Sequence, residues 1–465
     1  MAEKGDDVKR RDPLLKKKWY AGYFPLELFD GLKRQQMISP GALLTLILIV
    51  SPVVIWISYL PGSARDPLIA LAKFNAFMAI STLSVNFILS VRLHIFEDLF
   101  NGLDRMYRVH KMVGRSSLFF MLLHPLFLII SRWGEPDKVL SYIIPIGGLD
   151  VSAGVIAVYL FLLLLSLTVA INIPYHWWHN SHRFLGVVLL LAGFHALAAG
   201  SDLGRYPVLR FWVILLCTWG TVSWLYMLLL YKKTGPKFHV VLERVDHLRN
   251  ITEVHFKRPE GFRYQPGQYL FIRFPRFEGY KELFPFSISN DPCQRDVRIS
   301  IRRGGDYTGE KVPLLRKGDR AIVMGPYGKF GERYLSHERD MVWIAGGIGI
   351  TPFLSLAKHE SLFPTGRRIE LIWVIKEKKD AFHDSELFVE AKKNEMFDYI
   401  HWFSNEKGRI TSDDVVRLLG GKEQLRDRYI FMCGPPQMMY SLSRGFRKMG
   451  IPYRYIIYED FNMLD

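Results

Sequence analysis

The chain has 465 residues, of which 49% are hydrophobic, and a formal net charge of +16. This length is too great for one small domain, and three cysteines are too few for a disulfide framework or a cysteine-ligated iron–sulfur cluster. The basic residues flank apolar segments and glycine-rich motifs. This favours anionic lipid and phosphate-bearing cofactors over nucleic acid as partners.

The first half of the chain is predicted to be a multi-pass membrane domain, residues 41–231, that follows a polar cytosolic tail, residues 1–40. The tail has no early apolar run and is not a cleavable signal peptide. Six apolar segments are long enough to cross a bilayer. The predicted spans are 41–60, 68–90, 112–131, 151–173, 184–200 and 208–231.

The charges of the segments between the spans predict the orientation. Segments on the side of the termini hold 17 Lys and Arg residues, whereas the loops on the other side hold 4. The positive-inside rule therefore places the N- and C-termini in the cytoplasm of a cell-membrane protein.

Four histidines on the third and fifth apolar helices form the main candidate metal site. His110 and His124 are 14 residues apart, about 21 Å along a helix and only about 40° short of whole turns. Histidine is costly inside a membrane and marks function by default. Paired by depth, His110 with His182 and His124 with His195, they would ligate two stacked haems that have no open iron position.

On an ideal fifth helix, the two histidines would not face the same side of the helix. His182 and His195 are 13 residues apart, which puts them about 140° apart on an ideal helix. We therefore expect local distortion, such as a π-bulge near Gly186 or Gly193. The alternative is that the histidines only pack and form hydrogen bonds, and His179 is a fallback ligand if His182 is not one.

Two arginines lie just inside these helices at the cytoplasmic side. Arg115 and Arg183 could extend toward the membrane surface, but beside a haem they are expected to pair with its propionates.

From about residue 238 the pattern changes to short alternating runs broken by Gly and Pro, which predicts a small antiparallel barrel at 236–335. Within it, Ser287 could hydrogen-bond a flavin ring nitrogen. Arg302 offers a bidentate clamp for a pyrophosphate, and Gly305 and Thr308 offer backbone N–H groups and a hydroxyl. The residues that would shape the bed of the flavin ring are Phe284, Pro285 and Phe286.

From about residue 340, strands alternate with glycine turns and helices, which predicts a parallel α/β domain at 340–465. A strand runs into a glycine turn and a helix, so a dinucleotide pyrophosphate is expected at the helix N-terminus. Three segments together would line a nicotinamide pocket. Their candidate residues are Gly325, Gly328, Gly346, Gly347, Gly349, Thr351, Pro352, Cys433 and Gly434.

Two cations near the ends of predicted strands bear on the choice of nucleotide. Lys376 and Arg409 could hold a 2′-phosphate, which favours NADPH over NADH. Either could equally be a solvated surface charge. The fold class expected overall is a six-span helical bundle, an antiparallel FAD-binding barrel and a Rossmann-like NADPH domain.

These motifs, in this order and spacing, closely resemble the transmembrane ferric reductase and NADPH oxidase superfamily over roughly residues 41–465. The resemblance implies two b-type haems and an FAD- and NADPH-binding module that passes electrons outward. It also implies that Phe461 lies over the flavin and Cys433 near the site of hydride transfer. The matching segments are His110–Val113, His124, His182, His195, Phe284–Ser287, Ile301–Thr308, Gly325–Gly328, Gly346–Phe353 and Cys433–Pro435.

Two departures from the superfamily bear on the product. The flavin motif begins with Phe284, so a pyrophosphate contact is in doubt. Leu128 stands where animal oxidases have a histidine, which puts superoxide production in doubt.

The expected acceptor is oxygen, giving superoxide. The alternatives are a ferric chelate, a quinone or an extracytoplasmic redox partner. A proton channel is disfavoured by the nucleotide module. The sequence shows no EF-hand, so we expect no need for calcium or an obligatory cytosolic activator.

Overall fold

The computed structural model describes residues 39–59, 66–169, 180–199, 202–235, 237–277, 283–305 and 307–459. Within them, six helices are long and apolar enough to cross a membrane, which confirms the expected number. They are called the first to sixth span. They are Pro40–Ile57, Pro67–Ile88, Leu103–Ser131, Leu149–Val169, Asn180–Ala198 and Pro207–Leu230, the last ending in a π-helical turn at Tyr226–Leu230.

The third span begins at Leu103, nine residues before the predicted start at 112. Its first turns bury Leu103 and Met106 while also carrying charged residues, so their average hydropathy is low. Hydropathy therefore does not find them, although they are helical and place His110 on the same helix as His124. The shorter helices of this half are His94–Phe100, Pro136–Ile143, Asp202–Arg205 and Tyr231–Thr234.

The fifth span is distorted between its two histidines, but not as expected. The chain turns at Phe184, where the Phe184 N–H donates to Ser181 O and the Val187 N–H donates to Phe184 O. Both bonds reach back three residues, so the turn is tighter than an α-helix, and the expected π-bulge is wrong. A tighter turn rotates more per residue, which brings His182 toward the face of His195.

The barrel domain is a six-stranded antiparallel sheet with strand order β4-β3-β6-β1-β2-β5. Its buried core comes from alternate apolar residues of these strands. The strands are β1 Lys237–Leu248, β2 Ile251–Lys257, β3 Tyr269–Arg273, β4 Phe284–Ser287, β5 Asp296–Arg302 and β6 Arg320–Tyr327; short helical turns at Tyr307–Lys311 and Val312–Leu314 follow β5.

The last domain is a five-stranded parallel sheet with strand order β11-β10-β7-β8-β9. The strand order reverses between β7 and β10, so their carboxyl ends border the crevice where such sheets bind ligands. The strands are β7 Met341–Gly346, β8 Ile369–Ile375, β9 Phe397–Phe403, β10 Tyr429–Cys433 and β11 Ile456–Tyr458. The helices are Phe330–Leu335, Gly347–Ile350, Thr351–Leu362, Lys378–Asp380, Asp384–Lys393, Ser404–Lys407, Ser412–Leu418, Glu423–Arg426, Pro436–Lys448 and Tyr453–Tyr455.

The helix His94–Phe100 contacts the loop after β6, which leads from the barrel domain to the parallel-sheet domain. Glu97 Oε1 accepts a buried hydrogen bond from the Gly328 N–H at 2.7 Å. Asp98 forms an ion pair with Lys329 Nζ at 2.5 Å. The loop after β6 is thus held by two acidic residues from between the second and third spans.

We predict that Glu97→Ala loosens this contact. The substitution leaves the buried Gly328 N–H without its acceptor, which costs about 1–3 kcal/mol. The expected result is a lower unfolding midpoint and faster proteolysis between the sixth span and β1.

Asp98→Asn is the matched control. Its carboxylate is about one-third exposed, so the loss of its ion pair is expected to cost less than about 1 kcal/mol. Equal effects from both substitutions would contradict the special role of the Glu97 contact.

Candidate functional site

The four candidate ligand histidines lie in two pairs, one toward each end of the helical bundle. The His110 and His182 ring centres are 6.2 Å apart, and so are those of His124 and His195. An imidazole–metal–imidazole axis with metal–nitrogen bonds of about 2.0 Å separates ring centres by about 6 Å. Each pair is therefore spaced to hold one metal ion between its rings.

Backbone carbonyls orient three of these rings. Asn86 O accepts from His110 Nδ1 at 3.0 Å, and Ala72 O accepts from His124 Nδ1 at 2.9 Å. Asp150 O accepts from His195 Nδ1 at 2.8 Å. A carbonyl only accepts, so in a neutral ring Nδ1 carries the proton and Nε2 is left as the ligand atom.

A glycine leaves the room that His195 needs. A Cβ at Gly154 would lie 2.8 Å from His195 Nδ1 and 2.9 Å from His195 Cγ. Only a residue without a side chain lets this ring lie against the fourth span and reach Asp150 O. The spacing, the ring orientation and this close approach all fit a pair of bis-histidine haems.

The two arginines expected at haem propionates differ in burial. Arg115 is exposed on the third span, whereas Arg183 is half-buried at the start of the fifth span. The Arg183 carbonyl accepts from Trp224 Nε1 at 2.9 Å, which ties the fifth span to the sixth.

The expected flavin bed lies on edge strand β4. Ser287 ends this strand, is buried and pairs with Tyr269 of β3. Phe284, at the position where the superfamily motif has another residue, stacks on Tyr307 with 4.3 Å between ring centres. The structure thus gives this aromatic ring a packing role within the barrel domain. Pro285 and Phe286 complete the strand.

The expected pyrophosphate residues of the two domains lie beside one another. Arg302 ends β5, and its Nη1 would lie 3.4 Å from a Cβ at Gly347. Gly305 has a φ of 69°, which opens the following turn. Thr308 Oγ1 accepts from the Gly304 N–H at 3.1 Å.

The glycine turn after β7 interlocks with the end of β10. A Cβ at Gly346 would lie 2.6 Å from Pro435 Cδ, and a Cβ at Gly349 would overlap the Cys433 carbonyl. Gly434, with a φ of 159°, follows directly. The remaining expected residues of the crevice border the same turn or the end of β6; they are Thr351, Pro352, Gly325 and Gly328.

Lys376 and Arg409 are both exposed and lie in the connections that follow β8 and β9. Lys376 follows β8, and its carbonyl accepts from the Asn405 N–H at 3.1 Å. Arg409 lies four residues after Asn405. Two solvent-facing cations at the carboxyl end of the sheet suit a 2′-phosphate.

Glu459, a buried acid beside the loop after β6, is a residue that no pattern in the sequence indicated. Glu459 Oε1 accepts from the Lys329 and Phe330 N–H groups at 3.1 and 3.2 Å. Burial, followed by the charge of Asp104, raises the pKa of Glu459 well above the usual carboxyl range, and Glu97 adds to this. Phe461, the residue expected over the flavin, lies outside the described residues.

Three family models match the chain in succession. Residues 75–193 match a ferric reductase like transmembrane component, residues 236–329 an FAD-binding domain and residues 343–444 an oxidoreductase NAD-binding domain.

Several known proteins are similar to parts of this chain. A flavohemoprotein of Dictyostelium discoideum is 27% identical over 48% of this chain and 60% of its own length. A superoxide-generating NADPH oxidase heavy chain of the same organism is 23% identical over 53% of this chain and 50% of its own. The chain thus spans about half the length of these curated relatives. A flavohemoglobin from Malassezia yamatoensis matches 76% of this chain and 98% of its own, at 19% identity and a TM-score of 0.45.

We predict that Glu459→Gln removes a pH dependence of stability. An acid whose folded pKa is raised binds its proton more tightly in the folded state, so stability is lost as pH rises above the usual carboxyl range. Gln keeps the acceptor oxygen and never ionises. As pH rises through the neutral and alkaline range, the unfolding midpoint of Glu459→Gln should therefore fall less than that of the wild type.

Glu459→Ala is the comparison that separates charge from hydrogen bonding. It also cannot ionise, but it leaves the Lys329 and Phe330 N–H groups without an acceptor, so it should be destabilised at every pH. A Gln variant as pH-sensitive as the wild type would contradict the assignment.

Proposed function

Since the chain belongs to the ferric reductase and NADPH oxidase superfamily of oxidoreductases, with an FAD-binding and an NAD-binding domain, we propose that it conducts electrons across a membrane. The proposed path runs from cytosolic NADPH, through FAD and two b-type haems, to a one-electron acceptor outside. The proposed setting is the cell membrane, with both termini cytoplasmic.

The observation that carries this proposal is the matched geometry of the two histidine pairs. Both have a ring-centre separation of 6.2 Å, and three of the four rings are oriented through Nδ1 by a backbone carbonyl. Packing histidines alone would not need equal spacing at two depths. Two axial imidazoles leave a haem iron no open position, which suits electron transfer rather than ligand binding.

We assign the residues of the chain to the haems, the flavin and the nicotinamide as follows. His110, His124, His182 and His195 would hold the haems, and Arg183 and Arg115 would face their propionates. When bound, FAD would take a hydride from NADPH and release single electrons, which the haems conduct. Ser287 would hydrogen-bond the flavin ring, with Phe461 over it and Cys433 beside the nicotinamide.

The nucleotide is proposed to be NADPH rather than NADH. Lys376 and Arg409 are exposed and follow β8 and β9 at the carboxyl end of the parallel sheet, where both could reach a 2′-phosphate. The glycines of the interlocked turn would allow the pyrophosphate to approach the backbone.

The proposed acceptor is oxygen, which would be reduced to superoxide. The loops on the far side contain no Cys, Met or His residue, which favours a small acceptor over a soft metal or a docked redox protein. On that side Lys73 Nζ pairs with Asp202 Oδ1 at 2.9 Å, and Asp202 Oδ2 accepts from Trp56 Nε1 at 2.7 Å. Lys73 directly follows Ala72, whose carbonyl accepts from His124, so this ion pair lies at the outer end of the second span.

A ferric chelate is the second candidate. The family model for residues 75–193 carries the ferric reductase description, and Leu128 departs from the animal oxidases. A quinone or an extracytoplasmic redox partner is a further alternative.

The deciding experiment uses the purified chain with haem and FAD under argon. NADPH is added without dithionite, and the haem absorption bands are followed; NADH is the parallel arm. We expect haem reduction, faster with NADPH. Oxygen and a ferric chelate are then admitted separately, with and without a calcium chelator.

The outcomes separate the candidates. Cytochrome c reduction that superoxide dismutase suppresses would support the oxidase, and turnover of iron alone would support the ferric reductase. Reduced flavin beside oxidised haem would overturn the proposed path, and loss of activity with the chelator would overturn independence from calcium.

We predict that Gly154→Ala removes the outer haem. The added Cβ would lie 2.8 Å from His195 Nδ1 and force the ring away from Asp150 O. The haem content of the purified chain, measured as pyridine haemochrome, should fall from about two toward one per chain.

Gly193→Ala is the matched control on the fifth span. Its Cβ would lie 3.8 Å from Cys217 Sγ, an ordinary contact, so both haems should remain. Two haems with unchanged spectra in the Gly154 variant would contradict the placement of the outer ligand pair.

A further inference from the structure

A buried cluster of charges lies between the barrel domain and the parallel-sheet domain. At its centre Arg298 of β5 donates from Nη2 to Glu386 Oε1 at 2.9 Å and from Nη1 to Glu386 Oε2 at 3.1 Å. The side chains of Arg298 and Glu386 are 10% and 19% exposed. The pair is thus a nearly buried two-pronged bridge from one domain to the other.

The same guanidinium also holds the chain that leaves the flavin strand. Arg298 Nε donates to Ser289 Oγ at 2.8 Å, and Nη2 donates to Ser289 O at 2.9 Å. Ser289 lies two residues after Ser287, the candidate flavin contact. A planar guanidinium can make these bonds and the bidentate pair at once, whereas an ammonium group cannot.

On the nucleotide side, Glu386 gathers further partners. Lys358, from the helix Thr351–Leu362 that starts at the glycine turn, pairs with Glu386 Oε1. His383 Nδ1 lies 3.2 Å from Glu386 Oε2, and His383 Nε2 lies 3.3 Å from Glu253 Oε1 of β2. Burial alone would raise the pKa of Glu386, but the His383 bond and then the two cations hold it well below its usual range.

A second set of contacts links the chain after β4 to the helix Thr351–Leu362 of the parallel-sheet domain. Ser355 Oγ donates to Asn290 O at 2.8 Å, and His359 Nδ1 lies 2.8 Å from Asp291 Oδ2. Both Ser355 and His359 are on the helix that follows the glycine turn. The segment Ser289–Asp291, just after the flavin strand, is therefore fixed against the helix that would carry the nucleotide pyrophosphate.

We propose that Arg298 and Glu386 are positioning residues for hydride transfer, which set the distance between the flavin and the nicotinamide by fixing the two domains to each other. This inference rests on the proposed function, because it assumes that FAD and NADPH occupy these domains. A buried ion pair is weak evidence for stability. The two-pronged bond of Arg298 to Glu386, together with its bonds to Ser289, does fix the position of one domain against the other. Misplacement of reacting groups by about 1 Å can cost about 100-fold in rate.

The test compares Arg298→Lys with a matched control, Arg428→Lys. Arg428 donates to Glu370 Oε2 at 2.5 Å, and these side chains are 7% and 19% exposed, but both lie within the parallel-sheet domain. Both substitutions keep a cation but remove a buried guanidinium that bonds two partners, and only the guanidinium of Arg298 joins the domains. Glu386→Gln is the second variant from the bridge.

The chain carrying FAD is mixed with NADPH, or with NADPH deuterated at C4, under argon, and loss of flavin absorbance is followed. Arg298→Lys and Glu386→Gln should slow this step at least about 10-fold and change its isotope effect, with NADP⁺ affinity within about twofold of wild type. Arg428→Lys should keep the wild-type rate. In the chain without nucleotide, backbone hydrogen exchange should speed up at 289–291 and 383–387 only in the bridge variants.

The proposal would be overturned if Arg298→Lys showed flavin reduction and backbone hydrogen exchange at wild-type rates. It would also be overturned if Arg428→Lys slowed flavin reduction as much as Arg298→Lys does. Failure of the proposed function looks different. If the wild-type flavin is reduced but the haems are not, the transmembrane path fails and the bridge stands. If NADPH does not reduce the wild-type flavin, hydride positioning fails with the proposed function, and exchange reports only on the contact between the domains.

Discussion

The arrangement of the helical bundle depends on the need to satisfy an imidazole N–H in an apolar interior. A buried donor without an acceptor costs about as much as a lost hydrogen bond, and water is scarce among the spans. Backbone carbonyls of the helical residues Ala72, Asn86 and Asp150 accept these N–H groups from His124, His110 and His195. These three bonds orient the rings and fix the second and fourth spans against the histidine-bearing helices.

In the soluble domains, buried charged side chains rather than imidazole rings must find hydrogen-bond partners. Glu97 and Glu459 bind backbone N–H groups of one loop, and Arg298 connects Ser289 to Glu386. Each of these groups is buried, so each is tolerated only where its partners are placed with precision. These polar contacts lie beside a buried apolar cluster that packs the helical bundle against the barrel domain and includes Leu103, Met106, Phe271 and Met324.

The sequence predicted the spans, the barrel and the parallel sheet because these follow from local pattern. It also indicated the depth at which His110 and His182, or His124 and His195, would meet. It misplaced the start of the third span, because that turn mixes buried apolar with charged residues, as Asp104 shows. It also misjudged the distortion of the fifth span, which is a tight turn at Phe184 rather than a π-bulge near Gly186 or Gly193.

By itself the sequence determined which segments cross a membrane, which fold into sheets, and which residue types could hold haem, flavin and dinucleotide. Periodicity, hydropathy and glycine spacing are local properties that can be read along the chain. Only the tertiary structure decided that Asp150 O and Gly154 orient His195, or that Arg298 joins β5 to Glu386, 88 residues away. Such pairings have no spacing rule, because hydrogen bonds between distant segments depend on where the packed elements bring them together.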